Sequence, residues 1–207
     1  MVPVFLRQFK AAAGANMSYI VAEGPGGPAA VIDPTGELSR ITGVIEAEGL
    51  RVLYILTTHS HPDHTSGNGK LAAETGAKIA AHRLASMKKD ITLEDGAVLR
   101  VGALEVRALH TPGHSRDGMC YLVGDKLFTG DTLFVGECGR TDMPGGDAGA
   151  LYDSLFNRLL KLPDQTEVFP GHDYGPRPTS TIGREKKTNY VLEPRTREEF
   201  IEFMAEP

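Results

Sequence analysis

The segment Thr58-His59-Ser60-His61-Pro62-Asp63-His64 places four metal-ligating side chains, His59, His61, Asp63 and His64, within six residues. Imidazole nitrogen and carboxylate oxygen suit borderline first-row cations such as zinc and iron. Pro62 interrupts a continuous helix here, so His59 and His61 can face one way while Asp63 and His64 face another. A solvated polar loop is the competing reading. In chains of this composition the same spacing arises by chance in roughly five of ten thousand, which favours metal chemistry.

Three more candidates each follow a predicted strand and sit beside glycine. Thr111-Pro112-Gly113-His114 comes after residues 104–108, Thr129-Gly130-Asp131 after 126–128, and Pro170-Gly171-His172 after 167–169. Glycine lets the backbone turn sharply and come close to its neighbours, presenting the next side chain at the end of a sheet. Any one of them alone reads as a turn residue. Their repetition points to a shared rim, where His59, His61, Asp63, His64, His114, Asp131 and His172 suffice for one metal ion or for two adjacent ones.

These loops need elements to hold them. Short β-rich runs at 19–22, 29–32, 52–56 and 78–81 fill the first half. Between them, Leu38, Ile41, Val44, Ile45 and Ala47 recur at helical spacing and predict a helix over 37–48, capped by Gly49. A shorter helix is expected over 69–74. Strands at 98–101, 104–108, 119–123 and 126–128 follow, divided by Gly102 and Gly124-Asp125 as hairpin turns. A helix over 148–160 buries Leu151, Leu155 and Leu159. After a strand at 167–169 come two short helices, the last opened by the capping-box pattern Thr196-Arg-Glu-Glu199. Mixed strands with many hairpins predict stacked layers rather than a regular alternating parallel sheet.

The chain has 207 residues, 22 Lys and Arg against 27 Asp and Glu, a net charge of −5, and 41% hydrophobic residues. That is the size of one domain with a full core. An acidic balance without a basic cluster argues against nucleic acid as a partner. No apolar run is long enough for a membrane span, and the first residues carry no export signal. Two cysteines, Cys120 and Cys138, make no disulfide framework, so a reducing cytoplasm is expected.

The order His-x-His-x-Asp-His, Thr-Pro-Gly-His, Gly-Asp, Gly-His resembles the metallo-β-lactamase superfamily. The resemblance implies an α/β fold of the αββα sandwich type, a single domain over residues 1–207 with a short C-terminal helical tail. Within it the chain is similar to the persulfide dioxygenases (sulfur dioxygenases). The similarity runs through Leu6-Arg-Gln, Val31-Ile-Asp-Pro34, Gly49-Leu-Arg-Val-Leu-Tyr54, Leu93-Glu-Asp-Gly96 and Phe128-Thr-Gly-Asp-Thr-Leu133. It continues through Cys138-Gly-Arg-Thr-Asp142, Gly171-His-Asp-Tyr174 and Thr179-Ser-Thr-Ile182. The chain departs from the family at Ser115-Arg116-Asp117, where members often carry Thr-Pro or Thr-Asp after Thr-Pro-Gly-His. It departs again at Asn189-Tyr190, where they often carry Asn-Pro.

The resemblance implies one iron(II) per chain, held by His59, His114 and Asp131 as a 2-His-1-carboxylate facial triad. His61, Asp63, His64 and His172 then orient ligands and bound water, or bind a second metal. The implied reaction oxidises glutathione persulfide with O2 and water to sulfite and glutathione. Arg140 and Tyr174 are expected to contact the substrate, and family members commonly pair as homodimers. The alternative is a zinc thioesterase of the glyoxalase II type, with one or two zinc ions, hydrolysing S-lactoylglutathione or a related thioester. Those enzymes add a helical C-terminal domain, whereas only 35 residues follow His172 here. A non-catalytic metal-binding sulfur carrier or sensor is a minor alternative, since no ligand position is missing.

Other residues have plainer expectations. Asp33 is expected to hydrogen-bond a group of the metal loops. His110 reads as a strand-end residue, His82 as a surface residue without a role, and Cys120 as a core hydrophobe. Cys138 fits turn packing better than a reactive thiol. The run 184–187 reads as a solvated helix face.

Overall fold

The computed structural model describes residues 4–12, 14–36 and 38–206. Two six-stranded sheets lie face to face, with helices on both outer surfaces. In the first sheet, β1 (Phe5–Lys10), β2 (Met17–Ala22), β3 (Pro28–Ile32), β4 (Arg51–Leu56), β5 (Lys78–His82) and β6 (Ile91–Leu93) stand in chain order. The pairs β1–β2 and β2–β3 are antiparallel and the remainder parallel.

The second sheet contains β7 (Val98–Val101), β8 (Leu104–His110), β9 (Met119–Val123) and β10 (Lys126–Gly130). A small hairpin, β11 (Leu133–Phe134) with β12 (Glu137–Cys138), follows, and then β13 (Glu167–Pro170) and β14 (Ser180–Thr181). The order across this sheet is β14-β13-β10-β9-β8-β7. β10 and β13 are parallel, and β9 runs antiparallel between β8 and β10. The chain therefore leaves β8, β10 and β13 at the same edge, and each of these exits leads into a ligand loop.

Side-chain alternation divides the core into three layers. Tyr19, Val21, Ile32 and Leu56 face Tyr121, Phe128 and Phe169 between the sheets. Their neighbours Ile20, Val31 and Ile55 point outward against Leu38, Ile41 and Ile45 of α1 (Leu38–Ala47). Glu37, the expected start of that helix, lies outside the described residues. At the rim, α2 (Pro62–Thr65) and α3 (Asn68–Thr75) follow, with Leu71 of α3 buried in the same layer. On the far side, Leu151 and Leu155 of α4 (Ala148–Phe156), Ile182 of α5 (Ile182–Thr188) and Phe200 of α6 (Arg197–Ala205) cover the second sheet. The capping box at Thr196 and Glu199 is present. Among the described residues, no helix is long and apolar enough to cross a membrane.

Three expectations need correction. The helix predicted over 148–160 stops at Phe156, and Leu159–Lys161 forms a separate 3-10 turn. Between them Arg158 leaves helical geometry and reaches the His110 carbonyl and the Asp95 carboxylate. Pro62 interrupts a continuous helix as expected, 58–61 being non-helical and the single turn of α2 starting at Pro62, whereas the run 184–187 is not a wholly solvated face, since Glu185 is fully buried. His82 is not a surface residue: it is buried and stacks on His110, with ring centroids 3.9 Å apart. The strands β1, β6, β14 and the β11–β12 hairpin were not anticipated.

Candidate metal centre

All seven expected ligands converge where the ends of β4, β8, β10 and β13 meet. His59 and His61 lie in the extended segment after β4, and Asp63 and His64 in the single turn of α2. Nδ1 of His61 stands 2.9 Å from Nε2 of His59 and 3.1 Å from Nε2 of His114. Oδ2 of Asp131 faces the same group, 3.6 Å from His114 Nε2 and 4.0 Å from His59 Nε2. Oδ1 of Asp131 turns the other way, 2.9 Å from His172 Nδ1 and 3.4 Å from His64 Nε2. Asp63 Oδ2 closes this second group, 3.2 Å from His172 Nε2 and 3.5 Å from His64 Nε2. Asp131 thus has one oxygen in each of two adjoining clusters.

The residues behind the ligands fix their orientation. Asp33 accepts hydrogen bonds from the Thr58 amide at 2.8 Å, from the Thr58 hydroxyl and from His64 Nδ1 at 2.9 Å. It does so from a left-handed backbone conformation with φ 45°. His114 Nδ1 donates to the Arg140 carbonyl at 2.8 Å, and Asn16 Nδ2 donates to Asp63 Oδ2 at 2.9 Å. The bonds at His64 Nδ1 and His114 Nδ1 each commit one ring nitrogen outward and leave Nε2 facing inward, while Asn16 holds the same Asp63 oxygen that faces His172. Close approach requires glycine at two points. A Cβ on Gly171 would stand 2.4 Å from Asp131 Oδ1, and one on Gly139 would stand 2.0 Å from the Asp131 carbonyl.

The electrostatics are those of a cation site. Burial, reinforced by the neighbouring His64, holds His59 well below the ordinary imidazole pKa, so it presents a free lone pair. Burial also lowers His172, but its bonds to Asp131 and Asp63 win and bring it to about 9. His64 is likewise raised against its burial by Asp131 and Asp33. Asp131, although buried, is held well below the carboxylate range by His64 and His172. His64 Nε2 is buried and makes no hydrogen bond of proper geometry. An imidazole nitrogen so placed between the Asp63 and Asp131 carboxylates is disposed as a cation ligand. Atoms bound at about 2.0–2.1 Å to one first-row metal stand roughly 3 Å apart, close to the spacing of His59, His61 and His114. The donor set therefore fits a transition metal, zinc or iron alike.

The two expected substrate contacts fall outside this cluster. The Arg140 guanidinium is exposed and paired with Asp142, while its carbonyl serves His114. Tyr174 is 62% exposed and stacks on His172, centroids 4.8 Å apart and 7° from parallel. A groove of about 790 Å³ runs beside the Gly139 loop, lined by Cys138, Arg140, Asp142, Tyr190, Phe203 and Met204. Cys138 is buried there, its thiol pushed up to about 12 by burial, which makes it packing rather than a nucleophile. Asn16 and Asp117, both bonded to ligand loops, were not anticipated. Their partners lie 47 and 57 residues away, and no local pattern connects them.

The metallo-β-lactamase superfamily model matches residues 12–172. The chain is 35% identical to the human mitochondrial persulfide dioxygenase ETHE1, over 98% of this chain and 81% of that protein. The crystal structure of ETHE1 from Myxococcus xanthus superposes with a TM-score of 0.92 at 36% identity, covering 97% of this chain and 89% of that one. A hydroxyacylglutathione hydrolase of Polaromonas is 38% identical, over 77% of this chain and 62% of that protein. With a ligand cluster, a fold and a near end-to-end likeness all in agreement, the chain belongs to the metallo-β-lactamase superfamily and, within it, to the persulfide dioxygenase family.

Proposed function

We propose that the protein is an iron-dependent dioxygenase acting on a thiol persulfide, with glutathione persulfide as the substrate. The balanced reaction takes RSSH, O2 and H2O to RSH, sulfite and two protons. The observation that carries this reading is the extent of the likeness to ETHE1. It spans 98% of the chain and includes both the ligand loops and the C-terminal elements. The likeness to the Polaromonas hydroxyacylglutathione hydrolase covers 77% of the chain.

In this reading His59, His114 and Asp131 hold iron(II). When bound, that iron supplies the redox chemistry by which O2 and the persulfide sulfur react, which zinc cannot. The chain's own groups do the rest. His61 is kept neutral by burial and by His114 beside it, and its imidazole can take the proton from the water that completes sulfite. Asp63, His64 and His172 form a charged frame around Asp131, with His172 Nδ1 hydrogen-bonded to it, that keeps it ionised and aimed. Tyr174 and Phe134 pack on His172 and shield that side from solvent. Arg140 binds a carboxylate of the tripeptide by exchanging Asp142 for it, and Tyr174, beside His172, contacts the tripeptide backbone.

A second reading, zinc-dependent hydrolysis of S-lactoylglutathione or a related thioester, draws on Asp63, His64 and His172 as a separate ligand group. The deciding experiment is oxygen consumption by iron(II)-loaded protein given glutathione persulfide. Uptake with equimolar sulfite, lost in Asp131→Ala, is expected. No uptake from protein verified to contain iron overturns the dioxygenase reading. Thioester hydrolysis by the zinc form would then replace it.

A further inference from the structure

We propose that Asp117 is a positioning residue for the metal centre, its carboxylate holding the loop of His59 and His61 in register with the loop of His114. This rests on the metal centre, and it holds whether the reaction there is oxygenation or hydrolysis.

Asp117 is buried, at 5% exposure, three residues beyond His114. Its Oδ2 accepts the backbone N–H of Ser60 at 2.8 Å, and Ser60 is the residue between His59 and His61. Two residues further on, the Met119 amide donates to the Thr58 carbonyl at 2.7 Å. Segments 58–60 and 117–119 are thus bonded at both ends, although one leaves the first sheet and the other enters the second.

The Asp117 side of this seam is anchored independently. Thr111 N–H donates to the Gly118 carbonyl at 2.8 Å and closes the loop. A Cβ on Gly118 would lie 2.6 Å from the Thr111 carbonyl, so the closure is tight. His110 Nε2 lies 2.9 Å from the Arg116 carbonyl oxygen and can donate to it, and its ring stacks on the buried His82 of the first sheet. The carboxylate is therefore a fixed point against which the Ser60 backbone is set.

The consequence reaches the ligands directly. His61 Nδ1 stands between His59 Nε2 and His114 Nε2 at 2.9 and 3.1 Å, so displacing the backbone at Ser60 changes both spacings together. Removing a buried acceptor leaves the amide it served without a partner, and the Ser60 N–H to Asp117 Oδ2 bond is such a pairing. The structure places that bond at the peptide joining two imidazoles of the cluster.

The test uses the full chain with Co(II) alone, read by its visible absorption and by chelator competition. Asp117→Ala is expected to weaken Co(II) binding about 10- to 100-fold and to change the absorption envelope. Asp117→Asn keeps an acceptor oxygen in place and is expected to restore both. Asp117→Glu keeps the charge but displaces the oxygens, and is expected to resemble the alanine variant. Wild-type affinity and absorption in Asp117→Ala would overturn the proposal. So would failure of the asparagine variant alongside success of the glutamate variant, since charge rather than position would then be the agent. Should the alanine variant not fold by circular dichroism, the Asn and Glu pair decides the matter. Absence of oxygen uptake with this Co(II) pattern intact removes the dioxygenase reading and leaves Asp117 in its role.

Discussion

Asp131 is where the two clusters share a side chain, one oxygen toward His59 and His114, the other toward His64 and His172. Asp131→Ala is therefore expected to lower metal content to below about a tenth, measured by elemental analysis, rather than merely slow turnover. Retained stoichiometric metal would mean that the histidines alone suffice. Arg140 is in a different position, exposed and 2.5 Å from Asp142 through its Nε. If it holds a substrate carboxylate in the ground state and transition state alike, Arg140→Ala raises KM severalfold and leaves kcat unchanged. A fall in kcat at constant KM would place its effect on His114, through the carbonyl, and not on substrate. At this scale the seven converging side chains were legible because they cluster within six residues or follow glycine at strand ends. Asn16, Thr58 and Asp117 were not, because what they orient is defined only when distant loops meet.

Element boundaries were legible where burial alternates or repeats. β8 buries Leu104, Val106 and Ala108 on alternate positions, and α1 buries Leu38, Ile41 and Ile45. β1 lacks such a pattern: its residues are half-buried or exposed along its whole length, as suits an edge strand. Two-residue strands such as β14 have no room for a period. The helix over 148–160 failed differently, since Leu159 keeps the apolar spacing while Arg158 turns the backbone toward β8. Glycines show how tightly the elements are set. Gly113, with φ +145°, has the Leu151 Cα of α4 2.4 Å from the place a Cβ would take. Gly113→Ala is expected to destabilise by about 2–4 kcal/mol, through a backbone clash and a conformation unfavourable to L residues. Gly69, inside α3, meets nothing within 4 Å, so Gly69→Ala is expected to stabilise by about 0.5–1 kcal/mol. Urea denaturation of both variants checks the contrast, and equal effects would contradict this account of the packing.

In the whole molecule, layering forces charge together. Three apolar layers leave the rim between the sheets as the place where polar chain ends collect, and there Asp131, His59, His64 and His172 are all buried. Without metal, protons must do the neutralising, and this gives stability a definite pH dependence. His172 has a folded pKa of about 9 against about 6.5 unfolded, so the stability it contributes is complete below 6.5 and lost as pH rises through 9. His59 works in the opposite sense. Its folded pKa is depressed, so below 6.5 the unfolded chain takes a proton that the folded one refuses, and stability falls as pH falls. The metal-free protein is therefore expected to be most stable near pH 6.5. In the proposed iron site His172 keeps its proton as the support of Asp131. The stabilisation by a metal on His59, His114 and Asp131 is therefore not expected to grow between pH 6.5 and 9 through His172. A metal that took His172 as a ligand would displace that proton and stabilise increasingly over the same interval. Thermal midpoints of metal-loaded and chelator-treated protein across that range test this directly. A gap that stays constant leaves His172 as the support of Asp131, and a gap that widens with rising pH would mean that His172 gives up its proton to a metal, as the second reading with its separate ligand group requires.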